Sequence, residues 1–187
     1  MSVIALALAI ALQVAPPDAA MVPAPDATAI QRSQSELADV NAVIDAMHEA
    51  ASRADGPTYF AQFAPYARFI GTDAGEHWSL EQFRAYAEPV FAQGKGWTYH
   101  PHDRTVMSVG DVFFFDEKLT NDKYGELRGS GVLLRDAAGQ FRIQQYVLSF
   151  TVPNDASKDV VDVIAEHEAA AAVARDARAV ADQARRD

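Results

Sequence analysis

From Ser35 the apolar residues Leu37, Val40, Val43, Ile44 and Met47 recur with a three/four rhythm, the spacing that turns one face of a helix toward a core. Ser33 or Ser35 is placed to cap its start, and Asp55-Gly56-Pro57 to end it. Tyr59, Phe60 and Phe63 predict a second, short helix closing at Pro65, and Ala67 to Gly71 a short strand. Leu80 to Phe91 predicts a further amphipathic helix behind Ser79 as N-cap, with Pro89 straining its last turn. From Trp97 onward the period falls to two. Residues 97–109, 111–119, 126–136 and 140–152 predict four strands, parted by turn signals at Gly110-Asp111, Asn121-Asp122 and Ala138-Gly139. Connections this short favour antiparallel neighbours. The pattern is that of an α+β domain with N-terminal helices packed on a mainly antiparallel sheet.

Two of these strands are apolar on both faces. In the last, Phe141, Ile143 and Val147 alternate with Tyr146, Leu148 and Phe150; in the second, Phe113 and Phe115 flank Phe114. A sheet with one helical layer needs cover for its other face, and a homodimer formed through the sheet supplies it. The alternative is a strongly curved sheet that covers itself, bent at Gly129 and Gly131.

The flanks differ from this domain. Val3 to Leu12 is an unbroken apolar run, too short to span a bilayer and close to a signal-peptide core in length, although no Lys or Arg precedes it and the nearest cleavage sites are flawed. Residues 1–20 read as a leader, which predicts a periplasmic or secreted protein with no stable membrane span. Residues 21–34 form a Pro/Ala-rich linker, residues 35–165 the domain, and residues 166–187 an Ala-rich tail that reads as a solvated helix. The net charge of −10 repels phosphate backbones, so no nucleic acid is expected as partner. The chain has no cysteine, which removes disulfides, thiolate metal sites, a cysteine nucleophile and a lipidated anchor.

Several residues offer chemistry. The loop Gly71 to Trp78 carries Asp73, Glu76 and His77, which suit either a pocket mouth or a turn. Asp116 and Glu117 lie on opposite sides of their strand. If Asp116 faces inward, neighbouring aromatics desolvate it and it becomes an acid/base candidate; otherwise it pairs with Arg128 or Arg104. Tyr99 and Tyr146 supply phenols that can donate to a developing oxyanion, and Arg128 can hold a carboxylate. His100 and His102 share a face, but no third ligand stands near them in sequence, so no metal is assigned. Pro101 between them marks an edge or a bulge. There is no phosphate-cradling glycine motif, nucleophile elbow or dinucleotide fingerprint, hence no cofactor.

The segments Phe63 to Trp97, Phe114 to Leu119, Gly125 to Leu134 and Gln144 to Asn154, in that order, resemble the SnoaL-like branch of the nuclear transport factor 2-like superfamily, which also holds the ketosteroid isomerases. The resemblance covers about residues 35–165. It implies a cone-shaped fold, a pocket between the helices and a curved sheet, and usually a homodimer. It does not carry over a catalytic set residue by residue. The expectation is a small, partly apolar ligand held by Trp78, Trp97, Tyr99 and Arg128. Asp73, Asp116 and Tyr146 are the candidates for isomerase-, cyclase- or dehydratase-type proton transfer. The alternative is a non-catalytic dimeric binding or assembly module.

Overall fold

The computed structural model describes residues 27–186; the leader-like run lies outside them. Helix α1 (Ala27–Ser52) begins within the stretch read as linker, because nothing after Pro25 breaks a helix until Gly56. It is followed by α2 (Gly56–Ala61), β1 (Phe63–Ile70), β2 (His77–Ser79) and α3 (Leu80–Phe91). The strands β3 (His100–Val109), β4 (Val112–Asn121), β5 (Gly125–Arg135) and β6 (Phe141–Phe150) complete a curved, unclosed sheet in the order β2-β1-β6-β5-β4-β3. All pairings are antiparallel except β1 with β6. The expected α+β architecture is therefore present, with α1 packed on β6 and β3 and α3 on β1 and β2.

Local chemistry explains most boundaries. Asp55 caps α2 by accepting from the Thr58 backbone N–H at 3.1 Å, and Pro57 occupies its first turn, where a missing N–H is harmless. Ser79 and Gln82 form a reciprocal capping box on α3. Pro101 sits on the outermost strand, and a register break between His102 and Thr105 follows it, with Asp103 at φ 49°.

Three strand readings are corrected. The strand predicted at Ala67 begins at Phe63, since it takes its ladder from β6 instead of following its own periodicity. The strand predicted from Trp97 starts at His100, leaving Trp97 and Tyr99 in the preceding loop. In β6 the two-faced apolar pattern resolves through a bulge: Val132 and Leu133 pair with Gln145 and Ile143, so Gln144 is the extra residue. The parity flips there, and Phe141, Ile143, Tyr146 and Leu148 are all buried. Gly129 and Gly131 also face the core.

Helix α4 (Ser157–Ala184) follows a short 3-10 turn and buries no residue. It is the solvated tail helix, and it starts nine residues before the Ala-rich stretch. No helix among the described residues is long and apolar enough to cross a membrane.

Candidate functional site

A cavity of about 240 Å³ opens between α1, α3 and the concave face of the sheet, and ten of its eighteen lining residues are aromatic. Phe69, Phe83 and Trp78 stack along one wall, with ring centroids 3.8 Å apart for Phe69–Phe83 and 5.6 Å for Trp78–Phe83. The volume lies just below the range for drug-sized ligands, on the order of 300–1,000 Å³, so a small molecule fits.

Behind this wall lies an ionic cluster in the core. Glu117 is 1% exposed. Its Oε1 accepts from His48 Nε2 at 2.6 Å, and its Oε2 from Arg104 Nε at 2.7 Å. Arg104 Nη1 reaches Asp45 Oδ1 at 2.8 Å and Asn41 Oδ1 at 3.0 Å. Asn41, Asp45 and His48 follow one another at helical spacing, so one side of α1 presents all three to the sheet. Burial pushes the Glu117 carboxyl up more than any other single influence, but His48 and Arg104 together outweigh it and hold it below its ordinary value of 4.5. Arg104 is likewise disfavoured by burial and held more firmly protonated by Glu117 and Asp45.

This electrostatic setting fixes the imidazole. An ionised carboxylate only accepts, so His48 Nε2 must carry the proton that lies between them. His48 Nδ1 makes no hydrogen bond, yet no described side-chain nitrogen or oxygen is both fully enclosed and unpartnered. Nδ1 therefore keeps some accessible surface, and His48 lines the cavity. The same holds for the hydroxyl of Tyr146, which is 3% exposed as a residue and lines the same cavity, its ring centroid 6.3 Å from that of His48. Burial, then the charge of Glu117, pushes the Tyr146 phenol well above 10, so it remains a donor.

Gly129 makes the arrangement fit. A Cβ there would lie 2.6 Å from Tyr146 Oη and 3.0 Å from Glu117 Oε1.

The candidate residues separate accordingly. Tyr146, Trp78, Trp97 and Tyr99 line the cavity. Asp116 is exposed, because the face it shares with Lys118 and Thr120 points away from the helices; the inward orientation on which its acid/base reading depended does not occur. Neither Arg104 nor Arg128 forms an ion pair with it. Arg128 lies on that same outer face, away from the cavity, and so holds no ligand there. Asp73 is exposed and binds the Gly75 backbone N–H at 2.7 Å, a turn role. Among the described residues, no group of three or more His, Asp or Glu converges on a metal position.

His48, Glu117 and Arg104 form a buried cluster beside the cavity that the candidate set lacks. His48 is a lone imidazole on the apolar stripe of α1, next to Met47. Glu117 shares its strand face with Phe113, Phe115 and Leu119. A single polar residue on an otherwise apolar face was the available signal for both.

Residues 40–153 match the sequence profile described as a SnoaL-like domain. Among solved structures, the chain is similar to a proposed dehydratase of the nuclear transport factor 2-like family from Streptomyces avermitilis. The identity is 14%, with 64% of this chain and 99% of that one covered and a TM-score of 0.55. A proposed scytalone dehydratase from Novosphingobium aromaticivorans gives 9%, 66%, 89% and 0.56 for the same quantities. A proposed ketosteroid isomerase from Shewanella frigidimarina gives 17%, 59%, 94% and 0.50. At these identities the likeness is one of fold. No curated protein matches the chain by sequence.

Two outcomes test the cluster. Gly129→Ala forces Tyr146 and Glu117 apart and destabilises by about 1–3 kcal/mol in denaturant titration, as overpacking does. Glu117→Gln leaves Arg104 and His48 under-compensated and costs about 3 kcal/mol at neutral pH. Because the carboxyl is held below 4.5 in the folded state, its contribution is complete above the unfolded value and lost as pH falls through the lower folded one. The difference between wild type and Glu117→Gln therefore shrinks on acidification, as melting curves from pH 7 down to pH 3 would record.

Proposed function

We propose, for a chain that belongs to the SnoaL-like domain family, that the cavity binds a small, partly apolar molecule and moves a proton on it. The observation that carries this reading is the orientation of His48. Its Nε2 is committed to a buried carboxylate, which leaves the accessible Nδ1 as the free nitrogen of a side chain that lines an aromatic cavity. A carboxylate that holds an imidazole in one orientation makes the far nitrogen a positioned acid/base group. Tyr146 donates to the oxygen on which negative charge develops, as a protonated phenol in a water-poor site can. Glu117 and Arg104 are positioning residues: they set the imidazole and touch no ligand. Abstraction of a proton next to a carbonyl, its return at another carbon, or loss of a hydroxyl all use this pair of groups. The likeness to a proposed isomerase and proposed dehydratases is compatible with each.

A second reading has its own support. Every hydrogen-bonding atom of the Glu117 carboxylate is matched inside the cluster, which serves a structural role equally well, and the outer sheet face exposes Met107, Val109 and Val112 for a second copy. On that reading the chain is a non-catalytic homodimeric binding or assembly module. An exported setting, periplasmic or secreted, is proposed with either reading on the leader-like sequence of residues 1–20.

The test is hydrogen exchange on carbon. A panel of small cyclic and aromatic ketones is incubated with the protein in D2O and followed by proton NMR. The proton-transfer reading expects catalysed exchange on at least one member, reduced about 100-fold or more in His48→Gln and by about 100-fold in Tyr146→Phe. No exchange above buffer, or exchange unaffected by His48→Gln, overturns it in favour of the binding module.

A further inference from the structure

We infer that the mouth of this cavity recognises an organic cation, so that the molecule held against His48 and Tyr146 carries an ammonium or comparable positive group at its outer end. The inference rests on the proposed ligand pocket and narrows its ligand class. Glu76 lines the cavity. Its carboxylate takes no salt bridge among the described residues; its one hydrogen bond is a long contact of 3.3 Å from the Asp73 backbone N–H. A carboxylate in that position is held over Gly71, where any Cβ would collide with Glu76 Oε2. No Lys or Arg lines the cavity.

The groups around Glu76 have the same polarity. Tyr86 and Tyr124, 55% and 46% exposed, mark the outer part of the lining, whereas Tyr146 and Tyr59 are buried at its base. Tyr99 lies half-buried between these levels. Burial raises its phenol above the ordinary value, and Tyr124, Glu76 and Tyr86 add to the effect, so each of these three groups lies within electrostatic reach of Tyr99. An anion entering there meets a carboxylate and electron-rich rings, whereas an ammonium meets a counter-charge and aromatic faces. The molecule already contains one instance of this contact: the Lys123 ammonium rests 4.6 Å from the Tyr124 ring centroid and 2.9 Å from its hydroxyl. Lys123 itself does not line the cavity.

Three probes of one shape test the charge. Choline, its neutral carbon isostere 3,3-dimethylbutan-1-ol and the anion 3,3-dimethylbutanoate differ chiefly in charge. The protein has two tryptophans, Trp78 and Trp97, and both line the cavity, so intrinsic fluorescence reports occupancy. The expected result is choline binding at least about tenfold tighter than the alcohol, with no detectable binding of the anion. In Glu76→Gln, which keeps an acceptor over Gly71, choline affinity falls by about tenfold and that of the alcohol is unchanged. Equal affinity for choline and the alcohol, a Glu76→Gln variant that binds choline as wild type does, or no response to any probe overturns the inference. The acid–base reading is judged separately, on neutral ketones: its failure leaves a choline preference standing, and loss of that preference leaves ketone exchange standing.

Discussion

A carboxylate buried in the core organises this protein. Moving an ion of that size out of water costs several kcal/mol even after relaxation, so Glu117 is tolerable only because both of its oxygens are met. His48 comes from α1 and Arg104 from β3, an outer strand, so the one cluster ties the long helix to the far side of the sheet. Arg104 in turn reaches Asp45 and Asn41 on the same helix. The requirement to satisfy one buried charge thus fixes how α1 lies across β3 and β4. It also decides which imidazole nitrogen is left free.

The cavity follows from what cannot be packed there. Gly129 places no side chain between Tyr146 and Glu117, which lets both polar heads share the sheet's concave face. The bulge in β6 turns Tyr146 and Leu148 to the same side as Phe141 and Ile143. Aromatic side chains then form most of the wall around the space, packed edge to face and in stacks. A polar pair at the base and a carboxylate near the mouth are set apart by this apolar wall.

Much of the architecture was legible because it is written in local periodicity. The three/four rhythm of Val40, Ile44 and Met47, the Ser79 cap and the alternation of β4 and β5 all depend on near neighbours, and they are found where the pattern places them. What escaped depends on distant partners. Strand β2 is three residues long and exists through its pairing with β1, while β1 itself follows the ladder of β6. The parity of β6 changes at Gln144, which no count of apolar residues reveals. Of the candidate site, the aromatic wall and Tyr146 were readable as apolar strand and loop positions. Asp116 drew attention through its aromatic neighbours, yet the face shared by Phe113, Phe115 and Leu119 carries Glu117. His48, 69 residues away in sequence, gains meaning only from that carboxylate.

On this structure Glu117 holds His48 with the proton on Nε2 and leaves Nδ1 free. Long-range proton–nitrogen correlation NMR of nitrogen-15-labelled protein tests this arrangement most directly. The expected result is a protonated Nε2 for His48, with its N–H signal strongly downfield and slow to exchange, and the loss of that signature in Glu117→Gln. An imidazole whose Nε2 is unprotonated, or whose resonances match those of the exposed histidines in wild type and variant alike, would contradict it.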